Sequence, residues 1–153
     1  FYILRHAMTK QILTEDENVF VAEHIPYTEE LRDDTVEEFR ILEDKEKWII
    51  KPKNSYGARG IFAGVSCTKE QWEAAVNENK NANYVMQQFI IPYQTYNIDF
   101  HKENDALRKY SNLTGLYVYG GKFAGVYSRQ SNKEIISSEY DENDIATIRL
   151  IER

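Results

Sequence analysis

The chain has 153 residues, 42% apolar and 29% charged, with a net charge of −6. That length is enough to bury a core as one domain or two small lobes, while an acidic balance without any lysine or arginine run excludes the clustered basic face a nucleic-acid partner needs. No apolar stretch approaches the roughly 18 residues that cross a bilayer and no signal-peptide pattern opens the chain, so no membrane partner is expected and a cytoplasmic location is. The single Cys67 has no internal partner and lies outside any CxxC pattern, which fits a reducing compartment. The sequence begins Phe1-Tyr2 without an initiating Met, and the remainder of a longer chain is expected upstream.

Tyr2-Ile3-Leu4, Ala7-Met8 and Gln11-Ile12-Leu13 place apolar residues at helical spacing, up to Thr14-Glu15-Asp16-Glu17, a capping box. A second helix is predicted from Glu15, burying Val19, Phe20 and Ala22 and ending near His24 because Pro26 follows. Asp34-Thr35-Val36-Glu37 is another start signal, with Val36, Phe39 and Leu42 on one side. Thr68-Lys69-Glu70-Gln71 is a third, opening a helix through Trp72, Ala75 and Val76 that dissolves in the polar run 77–83. Residues 96–100 alternate as a strand does, and 116–119, Gly120-Gly121 and 123–127 read as a hairpin. All seven glycines lie between positions 57 and 125, as expected if helices come first and strands later. No internal repeat is present.

The richest stretch is Trp48-Ile49-Ile50-Lys51-Pro52-Lys53-Asn54-Ser55-Tyr56-Gly57-Ala58-Arg59-Gly60, followed by an apolar run from Ile61. A strand delivers a lysine into a loop punctuated by glycine, whose backbone can approach a ligand closely, and an ammonium is a point charge for phosphate oxygens. In a Walker loop the lysine follows the glycines and a helix comes next; here the lysine comes first, so a β-hairpin with a flexible tip is predicted. Lys51 shares a strand face with Ile49 and needs a partner if that face points inward. A phosphate would supply it, and a surface lysine at a strand end is the plain alternative. Lys53 and Arg59 flank the tip, as phosphate contacts or as solvated charges.

These residues, with Tyr84-Val85-Met86-Gln87-Gln88-Phe89-Ile90 and a hairpin over 115–138 that carries Tyr127-Ser128-Arg129-Gln130-Ser131, resemble the nucleotide site of the ATP-grasp ligases. The closest similarity is to the circularly permuted subgroup that includes the synthetase half of glutathionylspermidine synthetase and related carboxylate-amine ligases. It covers roughly residues 45–151. The resemblance implies an α+β, ATP-grasp-like fragment: a helical lead-in over 1–44, a nucleotide-binding lobe over 45–92, and an antiparallel β-lobe over 93–153 that closes the ATP cleft. ATP and Mg2+ are the implied cofactors.

By the same resemblance, Lys51 and the loop residues Tyr56, Gly57, Arg59 and Gly60 meet phosphate. Gln87 reads adenine through its side-chain amide, Gln88 through its carbonyl and Ile90 through its N–H, with Phe89 between them, and Gln94 reaches ribose. Arg129, on the hairpin face assigned to Phe123, Gly125 and Tyr127, is the catalytic candidate that stabilises charge on the transferred phosphoryl group. Where the family often has paired glycines, this chain has Gly57-Ala58. The implied reaction spends ATP to turn a carboxylate into an acyl phosphate, which a small-molecule amine attacks to give an amide, with ADP and phosphate as by-products.

The magnesium ligands have no assignment. In the permuted subgroup they precede the lysine strand, which places them before Phe1; Asp99, Glu139 and Asp141 are candidates by residue type alone, and 139–144 reads as a solvated acidic loop. His6, His24 and His101 show no metal spacing, and no serine or cysteine stands in a nucleophile context. Two rival functions share the same features: an ATP-dependent kinase or phosphotransferase using the same cleft, and a non-catalytic β-rich binding module.

Overall fold

Two of the three capping boxes operate as read. In a computed structural model, which describes residues 1–98, 106–137 and 143–145, the lead-in starts with α1 (Tyr2–Arg5), α2 (Ala7–Ile12) and α3 (Glu15–His24). The helix expected up to Leu13 is broken at His6, whose extended backbone (φ −65°, ψ 142°) lets its ring accept the Met8 N–H at 3.3 Å. Thr14 and Glu17 cap α3 reciprocally: the Thr14 hydroxyl accepts the Glu17 N–H at 3.3 Å and the Glu17 carboxylate accepts the Thr14 N–H at 2.8 Å. The predicted buried face of α3 is wrong. Val21 is buried, whereas Phe20 is 57% exposed and Val19 and Ala22 also face outward. The reason is Arg5, which donates to the carbonyls of Val21 and Ala22 at 3.3 and 3.2 Å and to that of Ile25 at 3.1 Å, satisfying the end of α3 and fixing α1 against its Val21 side.

A strand that sequence reading missed follows, β1 (Thr28–Glu30), and then α4 (Asp33–Glu38). The start signal at Asp34 is displaced: the helix is entered at Arg32, whose N–H donates to the Thr35 hydroxyl at 2.9 Å, while that hydroxyl donates to the Glu30 carbonyl at 2.7 Å. Val36 is buried as expected; Phe39 and Leu42 pack half-buried against the core after the helix has ended. The lysine hairpin forms from β2 (Trp48–Pro52) and the short β3 (Phe62–Ala63). Next come α5 (Lys69–Asn79), capped by Thr68 and Gln71, and β4 (Tyr84–Gln88). The sheet is antiparallel in the order β1-β4-β2-β3.

Side-chain alternation gives this sheet two different faces. Trp48, Ile50 and Met86 share one with the buried Trp72, Ala75 and Val76 of α5 and with Leu31 and Ile41, forming the core of the unit Phe1–Ile90. The Trp72 indole N–H donates to the Ile41 carbonyl at 2.8 Å, so its polar atom is satisfied inside that core. Ile49, Lys51, Val85, Gln87 and Thr28 lie on the other face. Thr68→Ala removes half of the α5 cap and is expected to lower the stability of this unit by about 1 kcal/mol. Urea unfolding checks it; an unmoved midpoint would show that the cap contributes nothing.

The second unit, Ile91–Arg153, holds a separate antiparallel sheet in the order β5 (Gln94–Ile98), β6 (Leu107–Tyr119), β7 (Lys122–Ser131), β8 (Asn143–Ile145). The β6–β7 hairpin turns at Gly120-Gly121, both left-handed with φ of 56° and 73°, the conformation a two-residue turn requires. A bulge shifts its register: Tyr117 pairs with Gly125, but Val118 pairs with Phe123. Phe123 therefore stands on the face opposite Gly125, Tyr127 and Arg129, which corrects the single face expected for all four. On that opposite face runs a ladder of polar side chains. The Asn97 amide donates to Thr95 Oγ1 at 2.9 Å and to Gln130 Oε1 at 2.8 Å, and the Asn112 amide donates to Thr95 Oγ1 at 2.9 Å. Asn112 and Gln130 are buried.

Among the described residues no helix is long and apolar enough to cross a membrane.

Candidate functional site

Strand register brings Lys51 and Gln87 together. β2 and β4 align Ile49 with Gln87 and Lys51 with Val85, so Lys51 and Gln87 are diagonal neighbours on the face away from α5. The Lys51 ammonium donates to Gln87 Oε1. Gln87 is buried and Lys51 half-buried, and burial holds the Lys51 pKa below its ordinary value. Among the described residues no carboxylate offsets this charge. One hydrogen bond to a neutral amide leaves a three-donor ammonium far short of the compensation that a desolvated cation needs.

Both side chains line a cleft of ≈410 Å³ on this face, together with Thr28, Val85 and Tyr2. That volume lies within the roughly 300–1,000 Å³ of small-molecule sites. Lys53 lies at the same cleft but is committed: it pairs with Glu30, which also takes Arg32 at 3.2 Å. The hydrogen bond from Lys53, with Arg32 adding to it, holds the Glu30 carboxyl below its usual range. Of the two lysines the sequence offered, Lys51 is the one that faces the cleft without a counter-charge among the described residues.

The β2–β3 connection carries Gly57 and Gly60, both left-handed with φ of 62° and 71°. At Gly60 the demand is double, because a Cβ there would also stand 2.8 Å from the Tyr84 hydroxyl. The loop is better tied than a bare polar tip. Ala58 is 4% exposed, the Ser55 hydroxyl donates to the Arg59 carbonyl at 3.0 Å, and the Ile61 N–H donates to the Ala58 carbonyl at 3.2 Å. Arg59 donates to the Tyr56 hydroxyl at 3.1 Å and lies 5.0 Å from that ring's centroid. Ala58, which departs from the paired-glycine pattern, thus contributes a buried methyl in place of a second flexible residue. If the loop meets phosphate as the sequence resemblance implies, saturating ADP is expected to slow hydrogen exchange at the amides of residues 56–60, whose N–H groups it would recruit. Amides already slow in the free protein and unchanged by ADP would mark the loop as a structural turn.

The predicted adenine-reading segment is the end of β4. Gln88 is exposed and its N–H donates to the Tyr27 carbonyl at 2.8 Å; the Phe89 N–H donates to the Lys47 carbonyl at 2.7 Å. The Ile90 N–H has no partner among the described residues, and its side chain is exposed. Arg129 belongs to the second unit, half-buried on β7 opposite Leu113, with its guanidinium 5.4 Å from the Tyr127 ring centroid. Gln94 is in that unit too, and its amide donates to the Ser111 hydroxyl at 3.4 Å. Asp99, His101, Glu139 and Asp141 lie outside the described residues. Among the described residues there is no group of three or more His, Cys, Asp or Glu side chains that could hold a metal.

Sequence reasoning missed Thr28 and Tyr2 as cleft residues. Thr28 sits on a strand whose Thr-Glu-Glu composition carries no strand signal, and nothing in the helical spacing around Tyr2 distinguishes a cleft wall from a core contact. No protein-family model matches the chain, and a search of curated proteins finds no match either.

Proposed function

We propose that this chain is the ATP-binding part of an ATP-grasp carboxylate-amine ligase acting through an acyl phosphate. The observation that carries the reading is the pairing of Lys51 with Gln87 in one cleft: a half-buried ammonium without a carboxylate partner among the described residues, beside a buried amide. Such an ammonium attracts a polyanion such as a nucleotide phosphate. The amide offers a donor and an acceptor side by side, as the adenine edge does. A lysine strand running through a glycine-bearing loop into its hairpin partner, with the amide strand paired alongside, supports the same reading. The roles in it are concrete. Lys51 neutralises phosphate, the loop N–H groups of residues 56–60 close over it, and Gln87 orients the base. No carboxylate cluster among the described residues fits a magnesium ion, so the reading assigns these residues to nucleotide contacts and leaves Mg2+ without ligands here.

Isothermal titration of the intact 153-residue chain with ADP tests it. ADP is expected to bind at a single site. Failure of ADP and of a non-hydrolysable ATP analogue to bind would overturn the reading in favour of a binding module. Phosphate transfer to a hydroxyl acceptor with no amine-dependent phosphate release would make it a kinase.

A further inference from the structure

The cleft that holds Lys51 and Gln87 has a second wall, and α1 supplies it. Tyr2 lines the cleft from the first turn of that helix. Its position is fixed at both ends of α1. The Lys53 ammonium lies 5.7 Å from the Tyr2 ring centroid and is itself held by Glu30, which Arg32 anchors at 3.2 Å. At the other end, Arg5 is bound to the Ile25 carbonyl at 3.1 Å. An aromatic ring, a glutamine amide and an ammonium thus line one volume of ≈410 Å³. Each matches a different part of one ligand class: the ring stacks on a heteroaromatic base, the amide reads its edge, and the ammonium takes an anionic tail.

Resting on the nucleotide reading above, we propose that Tyr2 is a base-binding residue, its ring forming the wall against which adenine packs. The ring is the working part, not the hydroxyl. Burial, with Glu30 and Glu29 adding to it, holds the Tyr2 hydroxyl above its ordinary pKa, so it stays neutral and does not repel phosphate. The lead-in is then part of the site and not a spacer before it.

The test compares the intact chain with Tyr2→Ala and Tyr2→Phe by titration with ADP and with inorganic pyrophosphate. Loss of a stacking ring is expected to weaken ADP roughly 5- to 150-fold, with Tyr2→Phe close to the parent and pyrophosphate affinity unchanged in all three. If the parent binds neither ligand, the nucleotide reading itself falls. If the parent binds ADP and Tyr2→Ala binds it equally well, only the assignment of Tyr2 falls. An equal loss of ADP and pyrophosphate in Tyr2→Ala would make Tyr2 a structural residue and overturn the assignment too. A nuclear Overhauser contact between the Tyr2 ring protons and adenine H2 or H8 in the parent complex decides the matter without a variant: its presence supports the wall and its absence at saturation overturns it.

Discussion

Lys51→Met is expected to weaken ADP binding by about 1.5–3 kcal/mol, roughly 10- to 150-fold, the worth of a hydrogen bond to a charged group. Methionine is the better probe than alanine because it keeps an apolar stem of similar length at a residue that lines the cleft. The fold should change much less. Removing the ammonium relieves the cost of burying it, and this offsets the loss of the donor to Gln87 Oε1. The pH dependence has a definite sign. Burial sets the folded-state pKa of Lys51 below its unfolded value, so between the two the unfolded chain holds more protons and stability rises with pH; the penalty is full below the folded-state pKa. A bound phosphate pushes the same pKa back up. ADP binding should therefore take up protons in that alkaline window and weaken as pH rises through the folded-state pKa, and both effects should vanish in Lys51→Met. Calorimetry in two buffers of different ionisation enthalpy reads the proton uptake. Undiminished ADP affinity in the folded variant would remove Lys51 from the site.

The largest stability loss is expected at Gly64→Ala. Gly64 opens the short 3₁₀ turn after β3, where Lys45 folds over it: the Lys45 ammonium donates to the Gly64 carbonyl at 2.8 Å and to the Cys67 carbonyl at 2.9 Å. A Cβ on Gly64 would stand 1.9 Å from the Lys45 carbonyl oxygen and 2.5 Å from its carbon. Both are backbone atoms, so no rotamer change makes room. Two chain segments must separate, and overpacking of this kind costs about 2–3 kcal/mol or more. In the unit Phe1–Ile90 that corresponds to a fall in Tm on the order of 10 °C or more. Gly125→Ala is the control, since its Cβ would meet only the Tyr117 ring at an ordinary 3.7 Å. Equal melting temperatures for the two variants would refute the close approach at Gly64.

What the sequence made legible was local chemistry. Thr68 with Gln71, and Trp72, Ala75 and Val76 at helical spacing, specified α5 and its buried face, and the Gly120-Gly121 pair specified the hairpin, because each signal is contained within a few residues. The site was legible only in pieces. Lys51 and Gln87 were each singled out, but their meeting depends on β2 pairing with β4 in one register, which no local pattern states. β1 was invisible for a related reason: Thr-Glu-Glu becomes a strand through its pairing with β4, not through its own preference. On α3, whose apolar residues go round the helix, the outward turn of Phe20 was settled by Arg5, which binds the Val21 and Ala22 carbonyls from sixteen and seventeen residues away. The close approach at Gly64 likewise belongs to Lys45, in another segment.

The amide ladder of the second sheet bears on how that sheet finds its alignment. Large apolar side chains are exposed on both of its faces, Tyr96, Leu107 and Tyr117 on one and Leu116, Val118 and Phe123 on the other, so hydrophobic burial distinguishes poorly between correct and shifted pairings. The polar side chains do distinguish. A slip of β5 by one residue along β6 would swing Thr95 and Asn97 to the wrong face, taking the Asn97 donor from the buried Gln130 oxygen and the Thr95 acceptor from Asn112, which keeps the Tyr110 carbonyl of its own strand. A buried amide so stranded costs about 1–3 kcal/mol. Misaligned intermediates are therefore penalised by stranded hydrogen bonds, and the second sheet is proofread during folding by its amides more than by its oil.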